Sequence, residues 1–158
     1  SHLELPTVET ARKELAATDF VPFRTLADMP WAMTAHVLYT ALDPERPATT
    51  SPIVIRDIIR GEIGFDGVLV SDDLSMKALG GTFTERTRAA IAAGCDLILH
   101  CNGVFAEMDE IARAAPPLSD AALARLARAK STRSSLEGAD TGKLLARLDA
   151  LLALGRIV

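Results

Sequence analysis

Aromatic side chains are scarce in this sequence, which has one Trp, one Tyr and five Phe among its 158 residues. Proteins that hold single-stranded nucleic acid stack its bases on aromatic side chains, so this composition argues against that class. A basic surface is lacking as well, because the formal net charge is -4 and nucleic-acid-binding domains normally carry a positive face. We therefore expect no nucleic-acid partner.

Long apolar runs and disulfide-forming cysteines are also lacking. No apolar stretch reaches the roughly 18 residues that a membrane-spanning helix needs, and no signal-peptide pattern opens the sequence. Cys95 and Cys101 flank one predicted strand, which would hold them about 20 Å apart, far beyond disulfide reach. Free thiols suit a reducing compartment, so we expect a cytoplasmic protein with no membrane partner. The sequence has no C-x-x-C or H-x-x-x-H motif, so no metal site is expected.

What the sequence does contain is a core, since 49% of its residues are hydrophobic and 24% are charged. Three short apolar runs, at 31–37, 67–71 and 96–101, predict buried strands. Amphipathic segments separate them, and continuous apolar strands that alternate with helices indicate a parallel sheet covered on both faces.

Capping signals place the helices between these strands. Ser51 and Pro52 predict a helix start, followed by isoleucines spaced for one buried face: Ile53, Ile55, Ile58, Ile59 and Ile63. Thr84 predicts the cap of another helix, which ends at Gly94. Further helices are predicted over 9–17, 104–114, 119–133 and 141–153, with a linker or turn over 134–142.

Three strands are too few for either parallel architecture that fits this alternation. A doubly wound sheet needs about five strands, and a closed (β/α)₈ barrel needs eight, or roughly 250 residues. The barrel therefore requires that the chain be the last part of a longer one, holding roughly the last three strands and the C-terminal helices.

Polar side chains follow each predicted strand: His36 after the first, Asp72 and Asp73 after the second, His100 and Asn102 after the third. In parallel α/β folds the carboxyl ends of the strands converge on the active site. A carboxylate there can act as a base, a nucleophile or a ligand, or merely cap the next helix. Because neighbours on an extended chain point in opposite directions, we expect one functional aspartate and one supporting aspartate.

The run 63–76, IGFDGVLVSDDLSM, preceded by IIRGE at 58–62, resembles the active-site signature of family 3 glycoside hydrolases. It is most similar to their cytoplasmic β-N-acetylglucosaminidase branch, as are MTAHV at 33–37, PATTS at 47–51 and AGCD at 93–96. The opening SHLELP at 1–6 is similar to the end of that branch's flexible catalytic loop. The resemblance runs in order from residue 1 to about 103.

This resemblance implies a retaining hydrolase with a (β/α)₈ barrel, of which 1–115 would be the C-terminal portion and 116–158 a packed helical extension. The family's nucleophile falls on Asp72, whose carboxylate would attack the anomeric carbon to form an ester that water later cleaves. This branch uses a loop histidine as general acid/base, which falls on His2, and histidine suits that role because it titrates near neutrality. A Ser-His start is also a common tag remnant, but its continuation through Pro6 favours the loop.

Three side chains near the strand ends are predicted to contact the sugar: Met33 and His36 after the first strand, and Met76 beyond Asp72. The alternative is a hydrogen-bonded core histidine and packed methionines. The chain departs from the family in lacking the loop aspartate two positions before His2, and the Lys-His-Phe-Pro-Gly-His-Gly type segment that binds sugar.

By resemblance, the substrate is a muropeptide that carries a non-reducing N-acetylglucosamine, cleaved during peptidoglycan recycling. No metal or organic cofactor is implied, and the partners are this carbohydrate and the N-terminal half of the same barrel. One alternative is a β-N-acetylglucosaminide phosphorylase, because a neutral histidine would admit phosphate as the attacking species. Another is a non-catalytic α/β fragment or a receiver-like domain, although the acidic pair and lysine of receivers are missing.

Overall fold

The computed structural model describes residues 4–132 and 140–154. The elements in chain order are β1 (Thr7–Val8), α1 (Arg12–Ala17), α2 (Phe20–Thr25), β2 (Trp31–Met33), β3 (Leu38–Tyr39), a 3₁₀ helix (Ala48–Thr50), a π-helix (Val54–Glu62), β4 (Val68–Asp73), α3 (Phe83–Ala93), β5 (Leu97–Leu99), α4 (Phe105–Ala114), α5 (Asp120–Ser131) and α6 (Thr141–Leu154). Within these ranges no helix combines the length and apolarity required to cross a membrane. Part of the predicted linker over 134–142 lies outside the described residues.

The main sheet has three strands in the order β2-β4-β5, and both pairings are parallel. The three predicted strands and their parallel arrangement are thus confirmed, with β4 in the centre. The strand predicted over 31–37 is shorter, because its pairing with β4 ends at Met33. The chain then makes a tight turn, in which Val37 N–H donates to Ala35 C=O. A separate parallel pair, β1 with β3, was not predicted, since two-residue strands leave no periodicity to detect.

The core lies between β4 and the helices over it. Leu69 of β4 packs with Ile55 of the π-helix and Ala90 of α3, and a second cluster joins Ile58 to α1 and α2. The isoleucine face was predicted in part correctly: Ile55 and Ile58 are buried, but Ile53 is exposed. Ile53 precedes the π-helix, and Ile59 and Ile63 are partly buried within or beside it. The helix itself is wound with bonds over five residues, as Ile63 N–H donates to Ile58 C=O.

The helix boundaries follow local capping chemistry. Ser51 caps its helix as predicted, accepting a hydrogen bond from Val54 N–H at 3.0 Å. The cap predicted at Thr84 is wrong: Thr82 caps α3, because Glu85 stands three residues later and completes a capping box. Gly94 ends α3 as predicted, with a left-handed φ of 118°.

A buried carboxylate, Asp96, holds the amino end of the sheet to two helices. Its side chain, 4% exposed, accepts hydrogen bonds from Leu69 N–H at 2.9 Å, from Arg60 at 2.9 Å and from Arg125 at 3.0 Å. Arg60 also donates to two carbonyls of the turn before β4. Asp96 therefore links the π-helix, β4, β5 and α5. The division of the chain at residue 115 stays a prediction.

We expect Asp96→Asn to lower the free energy of unfolding by about 3–5 kcal/mol, because removing one partner leaves buried charge uncompensated. The measurement is urea unfolding at neutral pH. The matched control is Asp109→Asn, which removes an exposed partner of Arg113 and should cost less than about 1 kcal/mol. Equal losses in the two variants would contradict this account of Asp96.

Candidate active site

The carboxyl edge of the sheet brings together the polar residues that follow the three strands. β4 ends at Asp72 and Asp73, in the middle of the sheet. His36 lies after β2, with Nε2 2.9 Å from the Asp73 carbonyl oxygen. His100 lies after β5, with Nδ1 4.0 Å from Asp73 Oδ1. The predicted convergence at this edge is therefore present.

Asp73 is held by three hydrogen bonds. Its carboxylate accepts from Ser75 N–H at 2.9 Å, from the Ser75 hydroxyl at 2.6 Å and from Cys101 N–H at 3.1 Å. Burial disfavours its ionised form, but the bonds from Ser75 and Cys101, with the nearby His100 ring, outweigh burial and hold the pKa of the Asp73 carboxyl below its ordinary value. Asp73 therefore ties the loop after β4 to the loop after β5, which fits a supporting aspartate.

Asp72 is anchored differently. Its backbone N–H donates to Thr34 Oγ1 at 3.1 Å, and its Oδ1 accepts from Asp73 N–H at 2.8 Å. Within residues 4–132 and 140–154, no hydrogen bond reaches Oδ2. One oxygen of this half-buried carboxylate is thus held while the other is available, which is the arrangement that a nucleophile needs.

The remaining predicted site residues occupy different environments. His36 is fully buried, and its ring nitrogens contact Thr49 and the Asp73 carbonyl. Met76 is buried in the loop after β4, whereas Met33 on β2 is 59% exposed. Sugar contact by these three side chains stays a prediction. His2 lies outside the described residues, so its role as acid/base also stays a prediction.

His100 and Asn102 close the edge beside β5. The His100 side chain is buried against the Phe83 ring, with centroids 5.4 Å apart in an edge-on arrangement. Its Nε2 lies 3.3 Å from Glu107 Oε2, but neither ring nitrogen is aligned for a hydrogen bond. Asn102 accepts from Val104 N–H at 2.9 Å, and so satisfies a loop backbone group.

Sequence reasoning missed the two threonines behind the aspartates. Thr34 and Thr49 are buried, and their hydroxyl oxygens are 2.9 Å apart. One signal could have found Thr34: it stands two residues before His36, which places both side chains on the same face of an extended segment. Thr49 carries no comparable signal, because only tertiary folding brings it to this position.

An open apolar groove of about 420 Å³ runs along β2 beside α2 and the π-helix. Trp31, Met33 and Phe23 line it and are each about half exposed or more.

The described residues contain no cluster of three or more His, Cys, Asp or Glu that could hold a metal ion.

A parallel α/β sheet whose central strand presents a carboxylate at its carboxyl edge is typical of α/β enzymes, barrels and doubly wound sheets alike, which act at strand ends. The chain belongs, within that class, to glycosyl hydrolase family 3: the model of the family's N-terminal domain matches residues 1–129. That domain has a TIM-barrel-type fold.

Similar proteins agree with this family. A beta-hexosaminidase of Alkalilimnicola ehrlichii is 47% identical over 133 residues, covering 80% of this chain and 38% of its own length. Among solved structures, a family 3 β-N-acetylglucosaminidase from a Paenibacillus species matches with a TM-score of 0.73 and 32% identity, covering 89% of this chain and 30% of that one. NagZ from Neisseria gonorrhoeae, in complex with N-trifluoroacetyl-D-glucosamine, matches with a TM-score of 0.70 and 38% identity, covering 80% of this chain and 37% of that one. The chain thus spans less than two-fifths of the length of each of these relatives.

The contacts of Asp73 predict an acid-dependent contribution to stability. Asp73→Asn should lower the free energy of unfolding at pH 7 by about 1.5–3 kcal/mol, because charge-assisted hydrogen bonds to Ser75 and Cys101 are weakened. The folded-state pKa is lowered, so this contribution is present above the unfolded pKa near 4 and is lost as pH falls through the folded value. The gap between wild type and variant should therefore close in acid, as measured by unfolding from pH 7 to pH 3. The exposed Asp28→Asn should show no such gap at any pH.

Proposed function

We propose that this chain is part of a retaining β-N-acetylhexosaminidase, with Asp72 as its nucleophile. The observation that carries the proposal is the state of the Asp72 carboxylate, with Oδ1 anchored and Oδ2 available at the carboxyl edge of β4. The hexosaminidase relatives support the choice of reaction.

The proposed reaction has two steps. Asp72 Oδ2 attacks the anomeric carbon of the sugar, and the bond to the leaving oxygen breaks as protonated His2 donates its proton to that oxygen. Neutral His2 then takes a proton from water, whose oxygen attacks the same carbon and releases the Asp72 carboxylate. Two displacements at one carbon retain the β configuration. Met33 and Met76 are proposed to contact the sugar, whereas His36, fully buried and bonded to Thr49 and the Asp73 carbonyl, is proposed to support the site from behind.

The proposed substrate is a muropeptide with a non-reducing β-linked N-acetylglucosamine, and the proposed setting is peptidoglycan recycling in the cytoplasm. Two points support an N-acylated glucosamine: the resemblance of 63–76 to the N-acetylglucosaminidase branch, and the structural match to a protein in complex with N-trifluoroacetyl-D-glucosamine. No step of the proposed reaction requires a metal or an organic cofactor.

We also propose that the chain supplies roughly the last three strands of a (β/α)₈ barrel whose N-terminal half is its partner. In the described sheet β2 and β5 each pair on one side only, and such an edge presents unpaired N–H and C=O groups to which a further strand can bond. The exposed apolar side chains of the groove, Trp31 and Phe23 among them, offer a face for such a partner to cover. The chain's share of its relatives' length is consistent with this division.

The test uses the intact protein that carries this sequence, incubated with a 5-fluoro N-acetylglucosaminide that traps the covalent intermediate. We expect one sugar adduct on the peptide that contains Asp72, seen by mass spectrometry, and release of free N-acetylglucosamine rather than its 1-phosphate. Asp72→Ala should lower kcat at least about 1,000-fold, because it removes the attacking group.

The matched control is Asp57→Asn, an exposed carboxylate on the π-helix, which should keep wild-type turnover. An adduct on another residue, or near-normal turnover in Asp72→Ala with an intact fold, would exclude Asp72 as the nucleophile.

A further inference from the structure

The ladder of backbone hydrogen bonds in the sheet breaks where it reaches Asp72. β2 and β4 are in register as far as Met33 and Val70. On the other side, β4 and β5 lose their regular register between Val70 and Asp73. Such irregularities are common beside active sites, where they re-aim a side chain. The Asp72 N–H consequently has a side-chain partner, Thr34 Oγ1, instead of a strand partner.

A chain of four hydrogen bonds, the middle two buried and the outer two partly buried, takes the place of the ladder. Asp72 N–H lies 3.1 Å from Thr34 Oγ1, which lies 2.9 Å from Thr49 Oγ1. Thr49 Oγ1 lies 2.8 Å from His36 Nδ1, and His36 Nε2 lies 2.9 Å from the Asp73 carbonyl oxygen. The chain begins at the peptide N–H of Asp72 and returns to the C=O of Asp73, so it closes around the backbone of the aspartate pair.

The two ends of this chain determine the direction of every bond. A peptide N–H can only donate and a carbonyl can only accept. Thr34 Oγ1 therefore accepts from Asp72 N–H, and His36 Nε2 donates to the Asp73 carbonyl oxygen. His36 must then carry its proton on Nε2, because that nitrogen donates to Asp73. In that tautomer Nδ1 is an acceptor, so Thr49 donates to Nδ1 and Thr34 donates to Thr49.

The middle members of the chain are closed off from solvent. Thr49 and His36 are 0% exposed and Thr34 is 5% exposed. All of their polar side-chain atoms are engaged with one another or with the backbone of the aspartate pair. Their effect on any reaction must consequently pass through Asp72.

We propose that Thr34, Thr49 and His36 are positioning residues that aim the Asp72 carboxylate in place of the broken strand ladder. His36 holds the carbonyl of Asp73, whose N–H in turn anchors Asp72 Oδ1. Thr34 Oγ1 holds the other side of Asp72 by accepting a hydrogen bond from the Asp72 N–H. Together they restrain the backbone on both sides of Asp72, and among the described residues no hydrogen bond reaches Oδ2. The effect on rate rests on the proposed function, whereas the hydrogen-bond chain does not.

The test compares Thr49→Val with Thr49→Ser in the intact protein, because valine keeps the size of threonine and removes only the hydroxyl. Thr49→Val should lower kcat for an aryl N-acetylglucosaminide by about 10- to 100-fold, as expected for loss of a buried hydrogen-bond partner. KM should change less than about threefold, because Thr49 does not touch substrate. Thr49→Ser should restore most of the rate.

A double variant separates positioning from general damage to the fold. In Asp72→Ala, added azide can replace the missing carboxylate as the attacking group. Thr49→Val should then change the azide-supported rate less than about twofold, because no carboxylate remains to be aimed. If Thr49→Val lowers the azide-supported rate as much as it lowers the normal rate, the positioning role is wrong.

Nuclear magnetic resonance tests the hydrogen-bond chain without any assay of activity. The ¹⁵N shifts of the His36 ring should report a proton on Nε2 in the wild type. The Asp72 amide should exchange with solvent at least about tenfold faster in Thr49→Val than in Thr49→Ser. A proton on Nδ1, or equal exchange in the two variants, would overturn the inference. If the wild type lacks hexosaminidase activity, the proposed function fails, and these two readouts still decide the hydrogen-bond chain.

Discussion

The carboxylate of Asp96 accepts hydrogen bonds from Leu69 N–H, Arg60 and Arg125. The regular pairing of the sheet depends on these three contacts. Asp96 aligns β4 with β5 at their amino ends and attaches the π-helix and α5 to the same place. At the other end of β4 the regular pairing with β5 is lost, and the Asp73 carboxylate bonds to Cys101 N–H in the loop after β5. The sheet is therefore regularly paired near Asp96 and irregular at the other edge, where Asp73 ties the loops after β4 and β5 together.

The two aspartates show how adjacent identical residues come to differ. Asp73 has both carboxylate oxygens occupied by Ser75 and Cys101 N–H, which makes it part of the loop structure. Asp72 has one oxygen held by its neighbour's N–H and one available. The difference follows from alternation along an extended chain, which turns one side chain into the loop and the other toward the sheet edge. Chemical type alone does not separate them.

The parts of the structure that could be predicted are those determined by nearby residues. The three parallel strands follow from short apolar runs, the ends of the helices from Ser51 and Gly94, and the division between Asp72 and Asp73 from their adjacency. Thr82 displaced Thr84 as a cap because a partner three residues away, Glu85, decides that choice. The π-helix was missed because periodicity was interpreted with α-helical spacing.

The site's supporting chain could not be predicted, for a physical reason. It joins Thr34, His36, Thr49 and Asp73, which are distant in sequence and meet only when β2, the 3₁₀ helix and β4 pack together. Single hydroxyls in buried positions leave no periodic pattern. The family resemblance covered the segments 33–37 and 47–51 that contain Thr34, His36 and Thr49, but it indicated no hydrogen bonds between them.

The winding of the π-helix has a consequence for the layers on either side of it. Three positions apart on an α-helix, two side chains share a face, but Ile55 and Ile58 enter two separate clusters, one against the sheet and one against α1 and α2. The wider turn lets a single helix act as a wall common to both. A shift of the helix that repacks Ile55 in one cluster also moves Ile58 in the other. The α1–α2 layer and the sheet are for that reason mechanically joined, although few of their residues meet directly.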